Sequence, residues 1–180
     1  MTQGFHIFET VLGWAGLAWG DRGLIGAHLP ERELAGVRAR MQKRFPQAVE
    51  TDAPPPSVAA ALAEIRRLLA GEKPMLADIL IDEARVPEFN RRVYQIARSI
   101  PPGETLTYGE IAVKLGDRLL ARDVGQALGA NPWPIVVPCH RVTAAGGKLG
   151  GFSAPGGRQT KLRLLAIEGA RAAAQGDLFG

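Results

Sequence analysis

The stretch NPWPIVVPCHRV, residues 131–142, carries the only cysteine of this 180-residue chain. Cys139 follows an apolar run that ends in Pro138, and His140 and Arg141 come directly after it. A lone cysteine is most often a small buried hydrophobic residue. Nearby cations, however, lower the pKa of a thiol toward the reactive thiolate, and a histidine within reach accepts its proton. Local chemistry therefore leaves two interpretations of Cys139 open, a core residue or a nucleophile.

The sequence around this stretch predicts a mostly helical C-terminal half. Apolar periodicity indicates a helix over Pro87–Ile100 and a last helix over Gln159–Glu168. Two short helices, Thr107–Leu115 and Leu120–Leu128, have the spacing of a helix-turn-helix, although two packed core helices would give the same pattern. The apolar residues Ile135–Val137 predict a short buried strand.

The N-terminal half alternates apolar and polar residues between glycine-rich turns. His6–Leu12, Ala15–Trp19 and Leu24–Leu29 predict a three-stranded antiparallel meander. Helical spacing follows over Glu31–Phe45 and Ser57–Leu69, with Ser57 as the expected N-cap. Residues 79–81 predict a further short strand. We expect a domain boundary in the segment 79–86, where the charge and the hydrophobic period change. This boundary gives domains 1–85 and 86–170 and a flexible tail 171–180.

Composition and charge exclude several classes of protein. The chain is 46% hydrophobic and 22% charged, which suits a globular core. It has no apolar run long enough to cross a bilayer and no secretory signal pattern, so we expect a cytoplasmic protein without membrane contact. Residues 1–85 hold 10 basic and 11 acidic residues, whereas residues 86–180 hold 12 and 7. This basic C-terminal half indicates either a polyanionic partner or an ordinary solvated face.

The stretch 131–142 closely resembles the active-site segment of the O6-alkylguanine-DNA alkyltransferases, also called methylated-DNA–protein-cysteine methyltransferases. Residues 86–169 match that family densely, and the N-terminal half matches it only in layout. Further matching motifs are Pro101-Pro102-Gly103-Glu104, Thr107-Tyr108-Gly109-Glu110-Ile111-Ala112, Ala121-Arg122-Asp123-Val124-Gly125 and Lys161-Leu162-Arg163-Leu164-Leu165-Ala166-Ile167-Glu168. The resemblance implies an α+β fold, with an N-terminal antiparallel-sheet domain of ribonuclease-H-like type and a C-terminal winged-helix-like helical domain.

The resemblance also implies an activity, which is the transfer of an alkyl group from guanine O6 in DNA to the Cys139 thiolate. O4-alkylthymine would be a poorer substrate. The product is a thioether, whose sulfur is a poor leaving group, so each molecule would react only once. No cofactor is expected because the purine ring already activates the alkyl group, and no metal is expected either.

By resemblance, five residues form the catalytic group. Cys139 is the nucleophile, His140 takes its proton through a water molecule, and Glu168 orients His140, which follows the logic of a catalytic triad. Asn131 would hold the turn around the nucleophile, and Tyr108 would help the departing base gain a proton. Arg141 is expected to be structural, bonded to carbonyls or to a carboxylate.

A second group of residues would bind the damaged base. Ser153 matches the serine that contacts guanine O6, and Val142 would offer its carbonyl to the exocyclic amine. Lys161 lies where the family keeps a lysine near the pocket, although a solvated helix lysine fits the pattern as well. Phe152 stands where many relatives have tyrosine.

By resemblance, the predicted recognition helix would approach double-stranded DNA from the minor groove. A stacked base cannot reach a pocket, so the nucleotide must rotate out of the duplex. Arg122 matches the arginine that fills the vacated position, and the small residues Ala121 and Gly125 would permit close approach. Leu119 and Asp123 depart from the family pattern, which leaves the affinity for DNA open.

The tail contains a motif outside the family resemblance. Gln175, Leu178 and Phe179 resemble the pentapeptide by which bacterial replication and repair proteins attach to the sliding clamp. The alternative is that the two apolar side chains fold back onto the body. We expect a monomer otherwise.

Three other functions are compatible with parts of the sequence. An alkyltransferase-like protein that only flags damage usually replaces the nucleophile with tryptophan, whereas this chain retains Cys139. A cysteine hydrolase using Cys139, His140 and Glu168 would need an oxyanion hole and would regenerate its thiol. A winged-helix regulator with an incidental cysteine would prefer particular operator sequences.

Overall fold

The computed structural model describes residues 2–150 and 157–170, and these combine a small sheet with a helical bundle. The strands are β1 (Gly4–Thr10), β2 (Gly13–Gly20), β3 (Gly23–Glu31), β4 (Val49–Glu50), β5 (Leu106–Thr107) and β6 (Val142–Thr143). The α-helices are α1 (Leu34–Arg44), α2 (Pro56–Leu69), α3 (Glu88–Arg98), α4 (Tyr108–Lys114), α5 (Ala121–Gly129) and α6 (Gly157–Glu168). The predicted α+β fold class is confirmed, and each of the predicted helices is present with its ends within three residues.

The N-terminal sheet contains the predicted meander and one strand more. Its order is β3-β2-β1-β4, with β1, β2 and β3 antiparallel. The short β4 pairs parallel with β1, where Gly4 faces Val49. Sequence analysis missed β4 because two residues are too few to show a period.

Both faces of this sheet are buried, which places the sheet in the middle of the fold. Phe5 and Ile25 pack with Met41 and other α1 residues on one face. On the opposite face, Leu17 and Leu24 belong to a core that continues through α2 into the C-terminal helices. The C-terminal half therefore packs against the core on one face of the sheet.

Two details of the N-terminal half differ from the sequence prediction. Ser57 is not the N-cap of α2, because the helix begins at Pro56 with Pro55 as its N-cap. Proline suits the first helical position, since it lacks the N–H that would have no intrahelical partner there. Residues 79–81 do not form a strand, and only an isolated bridge joins Ile81 to Leu24.

The C-terminal half begins at α3 and carries the predicted pair of short helices. Thr107 caps α4 by accepting a hydrogen bond from the backbone of Glu110, whose side chain accepts one from Thr107 in return. The predicted strand over 135–137 is wrong. Prolines bound the segment on both sides, Ile135 has a positive φ of 75°, and only one bridge forms, between Pro134 and Val137.

The sheet and the segment before Cys139 are joined by direct hydrogen bonds. Arg44, the last residue of α1, donates from Nη1 to the carbonyl of Ala27 (2.7 Å) and from Nη2 to the carbonyl of Pro132 (2.8 Å). The backbone N–H of Ala27 also donates to Pro132 (2.9 Å), and the indole of Trp133 donates to Leu24 (2.8 Å). The division into domains 1–85 and 86–170 stays a prediction, but residues of both ranges share one core.

The longest helix in the part of the chain that the structure describes is α2, with 14 residues. No helix there is long and apolar enough to cross a bilayer.

Arg44→Met should lower the free energy of unfolding by about 1–3 kcal/mol, because it leaves partly buried carbonyls without their charged donor. Methionine keeps much of the apolar stem. The matched control is Arg40→Met on the same helix, where the half-exposed guanidinium pairs with Glu31 and contributes about 0–1 kcal/mol. Urea unfolding of wild type and the two variants measures each loss of unfolding free energy. Equal midpoints for the two variants would contradict a stabilising role of the Arg44 hydrogen bonds.

Candidate active site

Cys139 lies in a single 3₁₀ turn, Cys139–Arg141, between the irregular segment 130–138 and β6. The Cys139 backbone N–H donates to Val137 (2.8 Å), and that of Arg141 donates to Pro138 (2.9 Å), so the chain reverses at this point. The Cys139 side chain is buried, with 8% of the residue exposed. The cysteine is thus held in a rigid turn next to the core.

Asn131 bridges the segment that leads to the cysteine. Its side-chain amide donates to the carbonyl of Val137 (2.9 Å), and its side-chain oxygen accepts from the N–H of Trp133 (2.9 Å). These two bonds close the loop from Asn131 to Val137 across Pro134, which has no N–H of its own. Asn131 therefore links the start of this segment to Val137, two positions before Cys139.

A buried carboxylate links the last residue of α6 to the cysteine turn. Glu168, only 2% exposed, accepts a hydrogen bond from His140 Nε2 (2.9 Å). It also accepts two from Arg141, at 3.0 Å from Nε and 2.7 Å from Nη2, while Arg141 Nη1 donates to Ile100 (2.7 Å). Arg141 thus makes the structural contacts predicted for it.

The charge state of this group follows from its contacts. Burial alone would raise the pKa of Glu168, but the hydrogen bonds and charges of His140 and Arg141 outweigh that effect and lower the pKa to about 2. Burial lowers the pKa of His140 in spite of the nearby carboxylate. At neutral pH the site therefore combines an ionised Glu168 with a neutral His140.

The tautomer of His140 determines what its ring can do. An ionised carboxylate only accepts, so Nε2 must carry the proton and Nδ1 must present a lone pair. His140 Nδ1 is buried and has no hydrogen-bond partner among the described residues. This nitrogen is available to accept a proton.

Lys161 is fully buried, which removes the alternative of a solvated helix lysine. Its ammonium group donates to the carbonyl of Val142 (2.6 Å). Burial lowers the pKa of Lys161 to about 8, against an opposing effect of the charge on Cys139. Lys161 consequently remains mostly charged at neutral pH.

The thiol itself differs from the sequence expectation. Burial raises the pKa of Cys139, although the hydrogen bond from Asn131 and the charge of Lys161 act in the opposite direction. Local sequence predicted a lowered pKa because it shows the neighbouring cations but not the burial. The resting thiol is protonated, so the chemistry of this site depends on a base.

Tyr108 is the first residue of α4, and its ring packs toward α5. Its ring lies against Gly125 of α5, where a Cβ atom would be 3.9 Å away. Gly150 is closer still, since a Cβ there would lie 2.6 Å from the Tyr108 hydroxyl, and its φ is +77°. Burial, and to a smaller extent a charge on Cys139, raises the pKa of Tyr108, so its hydroxyl stays protonated at neutral pH.

The remaining candidates lie along α5 or outside the described residues. Ala121 and Gly125 are half-buried, whereas Arg122 and Asp123 are exposed at the start of the helix. Phe152 and Ser153 lie outside the described residues. Among residues 2–150 and 157–170, no group of three or more potential ligands is placed to hold a metal ion.

Sequence analysis missed the contribution of the N-terminal half to this site. Arg44 and Leu24 reach Pro132 and Trp133 from α1 and β3. Tyr94 on α3 supports the same segment, with its ring edge-on to Trp133 and its hydroxyl donating to Ala127 (2.7 Å). No local pattern indicates these contacts, because the partners are distant in sequence.

Comparisons with known proteins identify the family independently of the site geometry. A family model described as "6-O-methylguanine DNA methyltransferase, DNA binding domain" matches residues 88–170. The methylated-DNA–protein-cysteine methyltransferase of Mycolicibacterium paratuberculosis is 46% identical over 125 residues, which cover 69% of this chain and 73% of the relative. The protein of the same name from Methanothermobacter thermautotrophicus is 36% identical over 86% of this chain and 78% of its own length. The chain belongs to the methylated-DNA–protein-cysteine methyltransferase family.

Solved structures extend the similarity to the whole fold. The crystal structure of the Mycobacterium tuberculosis O6-methylguanine methyltransferase has a TM-score of 0.73 and 33% identity, and the match covers 99% of each chain. A crystal structure of Mycobacterium tuberculosis OGT in complex with DNA has a TM-score of 0.69 and 32% identity, and covers 94% of this chain and 96% of that one. The family and the enzyme class predicted from the sequence are confirmed.

The lowered pKa of Glu168 makes a prediction about acid stability. A carboxyl group with a pKa of about 2 in the fold and 4.5 outside it stabilises the protein above pH 4.5, and this contribution is lost as the pH falls toward 2. Its full size is about 3 kcal/mol. Glu168→Gln should therefore flatten the fall in unfolding free energy between pH 4.5 and 2, measured by urea titration at each pH.

The control for this experiment is Glu72→Gln, which removes an exposed carboxylate paired with Arg67. That variant should follow the wild-type curve. Parallel curves for all three proteins would mean that Glu168 is not the buried, ionised group described above.

Proposed function

We propose that this chain repairs DNA directly, by transferring the alkyl group from O6-alkylguanine to its own Cys139 in a single irreversible reaction. The observation that carries the proposal is the buried pair of His140 and Glu168 behind the only cysteine, with His140 Nδ1 left to accept a proton. O4-alkylthymine would react in the same way but less efficiently. Double-stranded DNA is the partner, in keeping with the family-model match to a DNA-binding domain.

The reaction begins with removal of the thiol proton. The proton passes from Cys139 Sγ through a water molecule to His140 Nδ1, and Glu168 stabilises the imidazolium that forms. Lys161 stabilises the negative sulfur, because its charge acts across a buried region in which screening by water is weak. Arg141 keeps Glu168 ionised throughout.

In the transfer step, the sulfur attacks the alkyl carbon of the lesion. A new carbon–sulfur bond forms while the carbon–oxygen bond at guanine O6 breaks, and the bonding electrons move into the purine. The base takes up a proton at a ring nitrogen, for which the Tyr108 hydroxyl is the donor in this proposal. The product is unmodified guanine and a thioether at Cys139, which has no thiol left for a second reaction.

Recognition of the lesion requires that the nucleotide leave the duplex, because the cysteine is buried. Arg122, exposed at the start of α5, would fill the vacated position from the minor groove. The small residues Ala121 and Gly125 would let the helix approach closely. Val142 would accept a hydrogen bond from the base as well as from Lys161, since a carbonyl oxygen has two lone pairs. By resemblance, Ser153 would contact guanine O6, and Phe152 stands where many relatives have tyrosine.

The decisive test is intact mass after incubation with a duplex containing O6-methylguanine. Wild-type protein should gain one methyl group, mapped to Cys139 by peptide analysis, with one lesion repaired per molecule. Cys139→Ser should bind the same duplex without gaining mass, because a serine hydroxyl is far less ionised at neutral pH. Repair of many lesions per molecule with an unmodified thiol would instead indicate a hydrolase.

A second proposal concerns the tail, whose residues Gln175, Leu178 and Phe179 lie outside the described residues. Binding of this motif to a bacterial sliding clamp would raise the local concentration of the protein near DNA without any new DNA contact. Calorimetric titration with the clamp should detect binding by the full chain but not by a chain truncated after Ala174. Equal, negligible heats for both would end this proposal. Location in the cytoplasm and a monomeric state also stay predictions.

A further inference from the structure

Leu119 is the most exposed large hydrophobic side chain among the described residues, with 84% of the residue accessible to solvent. A single exposed leucine is ordinary on a protein surface and has no meaning by itself. Its position is what distinguishes it. Leu119 lies in the 3₁₀ turn Arg118–Leu120, which joins the two helices of the helix-turn-helix and leads directly into α5.

The backbone at this point is fixed, so the exposure of Leu119 is a property of the fold. The side chain of Asp117 accepts a hydrogen bond from the Leu119 N–H (2.9 Å), and the Asp117 carbonyl accepts one from Leu120 (3.0 Å). Leu120, the next residue, is half-buried and packs against the main core. The turn therefore directs one leucine inward and holds its neighbour in solvent.

Leu119 lies between two exposed arginines at the start of α5, and exposed aspartates, Asp117 and Asp123, lie just outside them. Arg118 precedes it, and Arg122 follows three residues later, one helical turn along. All three side chains are exposed. Asp117 accepts a hydrogen bond from the backbone of the turn. One arginine therefore lies on each side of the apolar side chain, and Asp123 follows Arg122.

We propose that Leu119 enters the minor groove beside Arg122 and packs against the deoxyribose rings and base edges next to the rotated nucleotide. An apolar side chain gains nothing from phosphate, but sugar rings and base edges offer it an apolar surface. Proteins that deform DNA from the minor groove commonly use such apolar wedges. This inference rests on the proposed function, since it assumes a duplex with a rotated nucleotide as substrate.

A wedge of this kind has an experimental signature that a phosphate contact lacks. Removing the apolar side chain should weaken the productive complex with duplex DNA without changing how many counterions are released. The logarithmic dependence of affinity on salt should therefore keep its slope in Leu119→Ala. Arg118, exposed next to Leu119, is the comparison: if it contacts a phosphate, Arg118→Ala should reduce that slope by about 1.

The test compares single-turnover rates on two substrates under subsaturating conditions. Leu119→Ala should react about tenfold more slowly than wild type with duplex O6-methylguanine DNA, and at the wild-type rate with free O6-benzylguanine, which needs no base rotation. Leu119→Met should restore most of the duplex rate, because methionine keeps the apolar length. Leu80→Ala, at a leucine that is 72% exposed on the N-terminal half, is the matched control and should react like wild type on both substrates.

The outcomes separate this inference from the function on which it rests. A wild-type rate of Leu119→Ala on duplex DNA would overturn the wedge and leave alkyl transfer intact. Equal losses on both substrates, or a salt slope reduced as in Arg118→Ala, would also overturn it. Failure of the wild-type protein to react with either substrate would instead refute the proposed function.

Discussion

The carboxylate of Glu168 is the contact on which the architecture of the site depends. Glu168 is the last residue of α6, and its carboxylate binds both His140 and Arg141. This contact holds the end of the helix next to the cysteine turn. Without this charge, a buried guanidinium would lose its partner, a situation far more costly than loss of an exposed pair. The same contact fixes the tautomer of His140. Structural support and catalytic orientation therefore come from one group, and they cannot be optimised separately.

Burial creates a conflict at Cys139 that the surrounding residues resolve. Exclusion of water raises the pKa of the thiol and keeps it unreactive at rest. The same exclusion strengthens the influence of Lys161 and of His140 on the sulfur once a proton leaves. A nucleophile that can be used only once benefits from this arrangement, since unwanted oxidation or alkylation of an exposed thiolate would consume the protein as completely as repair does.

Sequence predicted the elements whose signal is local. The helices, the meander and the clustering of Cys139, His140 and Glu168 follow from periodicity and from family motifs. Two of the expectations that the structure overturned share a physical cause. A strand over 135–137 and a lowered thiol pKa were judged from neighbours along the chain, whereas the positive φ of Ile135 and the burial of Cys139 depend on tertiary packing. The bond from Arg44 to Pro132 spans 88 positions and leaves no local trace.

Through the hydrogen bonds of Arg44 and Trp133, the N-terminal half supports the segment before Cys139, although it contributes no reacting atom. Residues 88–170 match the DNA-binding domain model, yet a fragment of that extent would leave the Trp133 indole and the Pro132 carbonyl without their partners on Leu24 and Ala27. A fragment limited to residues 88–170 would therefore lack contacts that hold the segment before Cys139. A fusion that moves the active-site half into another protein would therefore need to include the N-terminal sheet.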